Sequence, residues 1–224
     1  MARFDRLTVY QTMLAGGLVP LFYSPDLEVS KRVVAALASG GCRVLEFTNR
    51  GDFAHEVFGA LVRHCATAHP DMILGVGTVE DPATAALYLQ LGANFVVAPS
   101  LNAEVARACN RRKVAYMPGC GTVTEIGQAE ELGCEVVKLF PAETLGGPDF
   151  VKAVLAPRPW TRLMPSGGVS PDETNLHGWF SAGVACVGMG SKLIRADWLK
   201  AEDFAAIEAL TCEVLKTISR IRTA

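Results

Sequence analysis

This sequence predicts an α/β fold, a single (β/α)8 TIM barrel covering residues 1–224, and three observations predict it. Eight short apolar segments alternate with stretches whose apolar residues recur at helical spacing. Gly41, Gly92, Gly133 and Gly183 each end a helical stretch just before one of those segments, where a left-handed residue suits the turn from helix to strand. No linker, low-complexity tract or compositional break divides the series. Eight such units fit a closed barrel better than an open doubly wound sheet, and the first strand–helix turn lacks a GxGxxG fingerprint.

The elements follow in order. A helix over about 1–16 precedes the first strand, "GLVPLF" (17–22), an apolar run entered from a glycine. "RVLEF" (43–47) is the second strand and "MILGV" (72–76) the third, both rich in branched and aromatic residues. "NFVVA" (94–98) and "VAYMP" (114–118) are the fourth and fifth, separated by the helical pattern "NAEVARACNRRK". "EVVKLF" (135–140) is the sixth, closed by Pro141 and interrupted by Lys138. "RLMPS" (162–166) and "ACVGM" (185–189) complete the eight. A further helix over 200–220 carries the apolar stripe "FAAIEALTCEVLKTI", suited to packing or to contact between copies.

Composition narrows the function. Half of the residues are hydrophobic and the formal net charge is −2, with no basic block, so nucleic acid is not an expected partner. The longest charge-free stretch, Pro82–Ala103, is broken by prolines, Gln90, Gly92 and Asn94, so no membrane span is expected. "MARFDRLTVYQTML" has no signal-peptide core, and a cytoplasmic location is the expectation. The seven cysteines show no CxxC spacing, which predicts neither a disulfide framework nor a metal site. His55, His64, His69 and His177 bring no second convergent ligand and read as solvated or half-buried side chains.

In this architecture the chemistry belongs at the C-terminal ends of the strands. The second strand runs out through Glu46, Thr48 and Arg50 at alternate positions, hence on one face. The third reaches Thr78, the fourth ends at Pro99, and the sixth carries Lys138. The seventh and eighth end in "PSGGVS" (165–170) and "VGMGSK" (187–192), whose glycine amides and serine hydroxyls suit a phosphate or another anion. Lys138 has two readings. It forms a structural ion pair with Glu46, or it is a nucleophile kept partly neutral by apolar neighbours such as Val136 and Phe140. On the second reading Glu46 moves protons and Arg50 clamps a carboxylate.

At these residues the chain resembles the 2-keto-3-deoxy-6-phosphogluconate / 4-hydroxy-2-oxoglutarate aldolase family, over roughly Gly17 to Arg195. The motifs that carry the resemblance are "RVLEFTNR", "GVGTV", "VVAPSL", "KLFPAE", "PSGGV" and "GSKL", in family order. The resemblance implies a class I aldolase without metal or other cofactor, a small-molecule 2-keto acid as partner, and a homotrimer. It implies that Lys138 forms an imine with the C2 ketone of pyruvate and that Glu46 transfers protons. Arg50 and Thr78 would hold the pyruvyl carboxylate, and Pro99 and Phe140 would shape the pocket. Ser166, Gly167, Gly168, Gly190 and Ser191 would bind the distal phosphate or its substitute.

Four positions depart from the family pattern. Ser166 stands where threonine is common, Met189 where glycine is common beside the anion loop, and Asn49 where leucine is common. "YSPDLEVSK" after the first strand offers no basic residue before Lys31. These departures leave the imine residues in place and bear on whether the substrate is phosphorylated. Two competing functions remain: a phosphate-binding barrel isomerase using Glu46 without an imine, and a non-catalytic anion-binding barrel.

Overall fold

Short, mostly apolar runs of two to five residues form nine strand segments. They are β1 (Leu18–Phe22), β2 (Val44–Thr48), β3 (Ile73–Gly77), β4 (Phe95–Val97), β5 (Ala115–Met117), β6 (Gly119–Cys120), β7 (Val137–Leu139), β8 (Leu163–Pro165) and β9 (Val187–Met189). Between and around them lie α1 (Arg6–Gly16), α2 (Leu27–Ser39), α3 (Ala54–Ala68), α4 (Pro82–Leu91), α5 (Ala103–Arg112), α6 (Val123–Glu131), α7 (Gly147–Leu155), α8 (Glu173–Ser181), α9 (Ala196–Ala201) and α10 (Phe204–Thr223). The structure is a computed structural model, and it describes residues 2–223. Helix starts are fixed locally: Asp5, Asp26, Asp81, Asn102, Thr122 and Asp172 each accept first-turn amides that would otherwise lack partners. Gly41, Gly92, Gly133 and Gly183 have φ of 93°, 103°, 80° and 99°, the left-handed turn expected from their positions.

All strand pairs are parallel, in the orders β5-β4-β3-β2-β1-β9 and β6-β7-β8. Two joints close these into one ring. A parallel bridge between Ser166 and Gly188 links β8 to β9. At the other joint β5 and β6 are one strand interrupted at Pro118, whose lack of an N–H breaks the ladder. The first half pairs with β4 and the second with β7, and the Lys138 amide donates to the Pro118 carbonyl at 3.0 Å. The strand expected to stop at Pro118 therefore continues to Cys120.

Side chains alternate between two apolar layers. Val19, Val44, Ile73, Val97, Val136 and Met164 form the inner one, and Val9, Tyr10 and Met13 of α1 join it. Those inner residues lie mostly toward the N-terminal ends of the strands, so α1 plugs the bottom of the barrel and leaves the C-terminal mouth open. Phe22, Leu45, Phe47, Val76, Leu139 and Met189 face the other way, into the layer under the helices. The helix expected over 200–220 is α10, which packs between α8 and α2 and buries Ile207, Thr211, Val214, Thr217 and Ile218. It thereby takes the place of the eighth outer helix. Among the described residues no helix is long and apolar enough to cross a membrane.

If α1 is an integral plug, truncating its fully buried Met13 must be felt in the core. Met13→Ala is expected to lower unfolding free energy by about 2–5 kcal/mol. Urea denaturation would measure it, and a variant as stable as the parent would make α1 an appendage.

Candidate active site

Lys138 occupies the centre of β7, hydrogen-bonded into the sheet on both sides, opposite Gly119 and Met164. Its parity places the side chain with Val136 inside the barrel, where it is 7 % exposed. The amine lies 4.8 Å from the centroid of the Phe140 ring. Burial pushes its pKa below the usual 10.5; the Glu46 charge works against that shift and the Arg50 charge adds to it.

Glu46 is held between Leu21 of β1 and Gly75 of β3, and is 1 % exposed. Burial raises its carboxyl above 4.5, opposed by Lys138 and Arg50. One oxygen, Oε2, is buried without a hydrogen-bond partner. The two groups feel each other's charge, yet among the described residues neither makes an ion pair within 4.0 Å. The direct Lys138–Glu46 ion pair that the sequence left open is therefore absent. Both groups are instead biased toward their neutral forms. A neutral amine can attack a carbonyl, and a carboxyl near neutrality can take and return protons.

Glycines on β3 make room for this pair. A Cβ on Gly77 would overlap the Glu46 carboxyl, and one on Gly75 would overlap the Phe95 ring. "GVG" is thus a space requirement, whereas the sequence pointed only to the Thr78 that follows it. Thr78 itself has φ 60°, a left-handed conformation rare for a β-branched residue.

Beside the pair opens a cleft of about 760 Å³. Arg50 and Phe140 line its near side, and Ser166, Gly167, Gly168, Gly190 and Ser191 line the far side, as the loops after the last two strands were expected to do. Lys138 and Glu46 are buried and do not themselves line it; the amine adjoins it through Phe140. Thr78 and Pro99 do not line the cleft. They end β3 and β4, across the barrel from β8 and β9, and the Pro99 carbonyl sits where a Cβ of Gly119 would be.

Met189, beside the anion loop along the chain, is fully buried in the outer layer, while Gly188 and Gly190, of the opposite parity, face the cleft. Asn49 accepts a hydrogen bond from Tyr88 of α4 at 2.8 Å, which ties the end of β2 to the outer ring. Tyr23, Glu143, Asn175 and Lys192 also line the cleft and were not singled out from sequence. Lys192 adds a cation on the β9 side, although the segment after β1 supplies none. Cysteine is a poor alternative nucleophile here, because burial pushes Cys120 up to about 12. Among the described residues no three His, Cys, Asp or Glu side chains converge as metal ligands.

A family model described as KDPG and KHG aldolase matches residues 9–210. The KHG/KDPG aldolase of Escherichia coli strain K12 is 33 % identical over 205 residues, covering 91 % of this chain and 93 % of that protein. Among solved structures, KDPG aldolase from Legionella pneumophila, with pyruvate captured as a covalent carbinolamine, superposes with a TM-score of 0.83 at 27 % identity, covering 92 % of this chain and 97 % of that one. The 2-keto-3-deoxy-6-phosphogluconate aldolase of Zymomonas mobilis ZM4, with 3-phosphoglycerate, gives 0.79 at 28 % identity, covering 91 % and 93 %.

The contact between Gly77 and Glu46 can be tested directly. Gly77→Ala is expected to leave the fold intact, drive the Glu46 carboxyl from its seat, and cost about 1–3 kcal/mol of stability. A crystal structure of the variant with Glu46 unmoved would show that β3 does not set its position.

Proposed function

This chain belongs to the KDPG and KHG aldolase family and is therefore a carbon–carbon lyase, and we propose that it is a class I aldolase working through an imine on Lys138. The substrate is a 2-keto-4-hydroxy acid, such as 2-keto-3-deoxy-6-phosphogluconate or 4-hydroxy-2-oxoglutarate. The products are pyruvate and an aldehyde, glyceraldehyde 3-phosphate or glyoxylate. The observation that carries the reading is a buried amine and a buried carboxyl sharing one barrel mouth without pairing. The carbinolamine held by the Legionella relative supports it.

The Lys138 amine adds to the C2 carbonyl, and loss of water gives the imine. Glu46, directly or through water, removes the C4 hydroxyl proton. The C3–C4 bond then breaks, its electron pair passing through C3 into the imine nitrogen, and the aldehyde leaves. Glu46 returns a proton to C3 of the enamine, and water hydrolyses the imine to free pyruvate. Arg50 holds the pyruvyl carboxylate and Phe140 bounds the pocket. The imine is the electron sink, so no further cofactor is required.

Ser166, Gly167, Gly168, Gly190 and Ser191 take the distal anion. The length of the cleft favours a phosphorylated substrate. The cleft runs from Arg50 to Ser191, Lys192 stands at its far side, and Met189 leaves it unobstructed. The 3-phosphoglycerate in the Zymomonas relative is in keeping with such a ligand.

Pyruvate with borohydride is expected to leave a reduced adduct on Lys138, located by peptide mass spectrometry. Lys138→Met should fold but neither trap pyruvate nor turn over; normal cleavage by the folded variant would overturn the mechanism. The trapping rate should rise with pH as the ammonium deprotonates, with a midpoint below the 10.5 of a free lysine. Because the Glu46 charge raises the pKa of Lys138, Glu46→Gln should move that midpoint down further, while slowing cleavage by roughly 10²–10⁴-fold. A midpoint moving up in Glu46→Gln would contradict the electrostatics.

A further inference from the structure

The loop after β8 carries two adjacent left-handed glycines, Gly167 with φ 90° and Gly168 with φ 77°. No side chain could replace Gly168, since a Cβ there would also overlap Glu143. Among the described residues the amides of Gly167, Gly168 and Val169 donate to no protein acceptor, and all three residues line the cleft. An unusual backbone with its donors unused must be held from outside.

One side chain grips it on both flanks. Asn175, in the first turn of α8, accepts from the Ser170 amide at 2.9 Å and donates through Nδ2 to the Gly168 carbonyl at 3.0 Å. Its own amide is satisfied by the capping carboxylate of Asp172. The start of the loop is tied separately, where the Ser166 carbonyl accepts from the Ala142 amide. Only an amide side chain can both accept and donate in this geometry. Aspartate would keep the bond from Ser170, lose the bond to Gly168 and add a negative charge beside the free amides.

We propose that Asn175 is a positioning residue for substrate choice, holding the Gly167–Val169 amides toward the cleft so that a 2-keto acid with a phosphate at its far end is preferred over a short one. This rests on the aldolase reading above. Asn175 lies on the distal side of the cleft, away from the reacting carbons, so the imine chemistry does not depend on it.

The test compares parent, Asn175→Ala, Asn175→Ser and Asn175→Asp on 2-keto-3-deoxy-6-phosphogluconate and on 4-hydroxy-2-oxoglutarate. For Asn175→Ala, losing two neutral hydrogen bonds predicts a KM about tenfold higher for the phosphorylated substrate. KM for the short substrate, kcat for both, and pyruvate trapping at Lys138 should stay within about twofold. Asn175→Asp should be worse than Ala, and Asn175→Ser, which can keep one bond, milder. Equal KM increases for both substrates, a fall in kcat, or no change in either KM would overturn the proposal. Inorganic phosphate provides a readout independent of turnover. It should raise the melting temperature of the parent more than that of Asn175→Ala, and equal shifts would overturn the proposal. If the parent fails to trap pyruvate, the imine reading is lost while the phosphate comparison still decides the role of Asn175. If Asn175→Ala does not fold, the Ser and Asp variants carry both measurements.

Discussion

Burying a charge costs several kcal/mol even after relaxation, and this barrel buries two ionisable groups in one mouth. A tight ion pair would recover part of that cost and would fix both groups as charged. Lys138 and Glu46 do not form one; burial dominates each, and each moves toward neutrality. That outcome requires the two side chains to be close enough to sense each other and held so that they do not collapse together. The closed sheet supplies the hold. Both groups ride on strands hydrogen-bonded on each side, so neither backbone can drift to close the gap. Arg50 completes the balance, favouring the anion on Glu46 and disfavouring the cation on Lys138.

The same alternation that aims these groups inward decides what lies beneath and around them. Below, branched side chains and α1 fill the interior, so water cannot reach the pair from the bottom of the barrel. At the level of the pair the filling stops. Gly75 and Gly77 give their space to Phe95 and Glu46, and Gly188 and Gly190 give theirs to the cleft. A strand glycine loses packing and costs backbone entropy. Here that loss lets a carboxylate sit inside a sheet, next to the backbone of its neighbouring strand.

The fold was legible in the sequence because its signals are local. The apolar runs and the four glycines before strands depend on nearest neighbours alone, and they appear where expected. The break at Pro118 was less legible, since a proline usually ends a strand, and only the pairing of Gly119 with Lys138 shows that this one continues. In the mouth, Lys138 and Glu46 stood out as charges in apolar strands. Met189 adjoins the anion loop along the chain, and strand parity, counted from Gly188 and Gly190, turns it outward. Gly77 and Asn175 could not be read, because their meaning lies in contacts with Glu46 and with Gly168 and Ser170 that no spacing reveals. Lys192 was visible within its motif, but nothing in the sequence showed that it reaches the cleft.

The mouth divides into two halves of different mechanical character. The half proposed to form the imine lies on β2 and β7, inside the sheet, where moving a side chain means distorting a ladder bonded on both sides. The half proposed to bind the distal group lies on loops after β8 and β9, shaped by left-handed glycines and side-chain clamps. A change in the first half strains the whole ring, whereas a change in the second is absorbed within a few residues. The departures from the family pattern spare the reacting pair: Ser166 keeps a hydroxyl at the cleft, the segment after β1 brings it no base, and Met189 and Asn49 face the outer layer and helices. The cation on the cleft's distal side comes instead from Lys192, on the loop after β9. The reacting pair has no such freedom. Its position is set by register, and a slip of one residue turns the side chain out of the barrel.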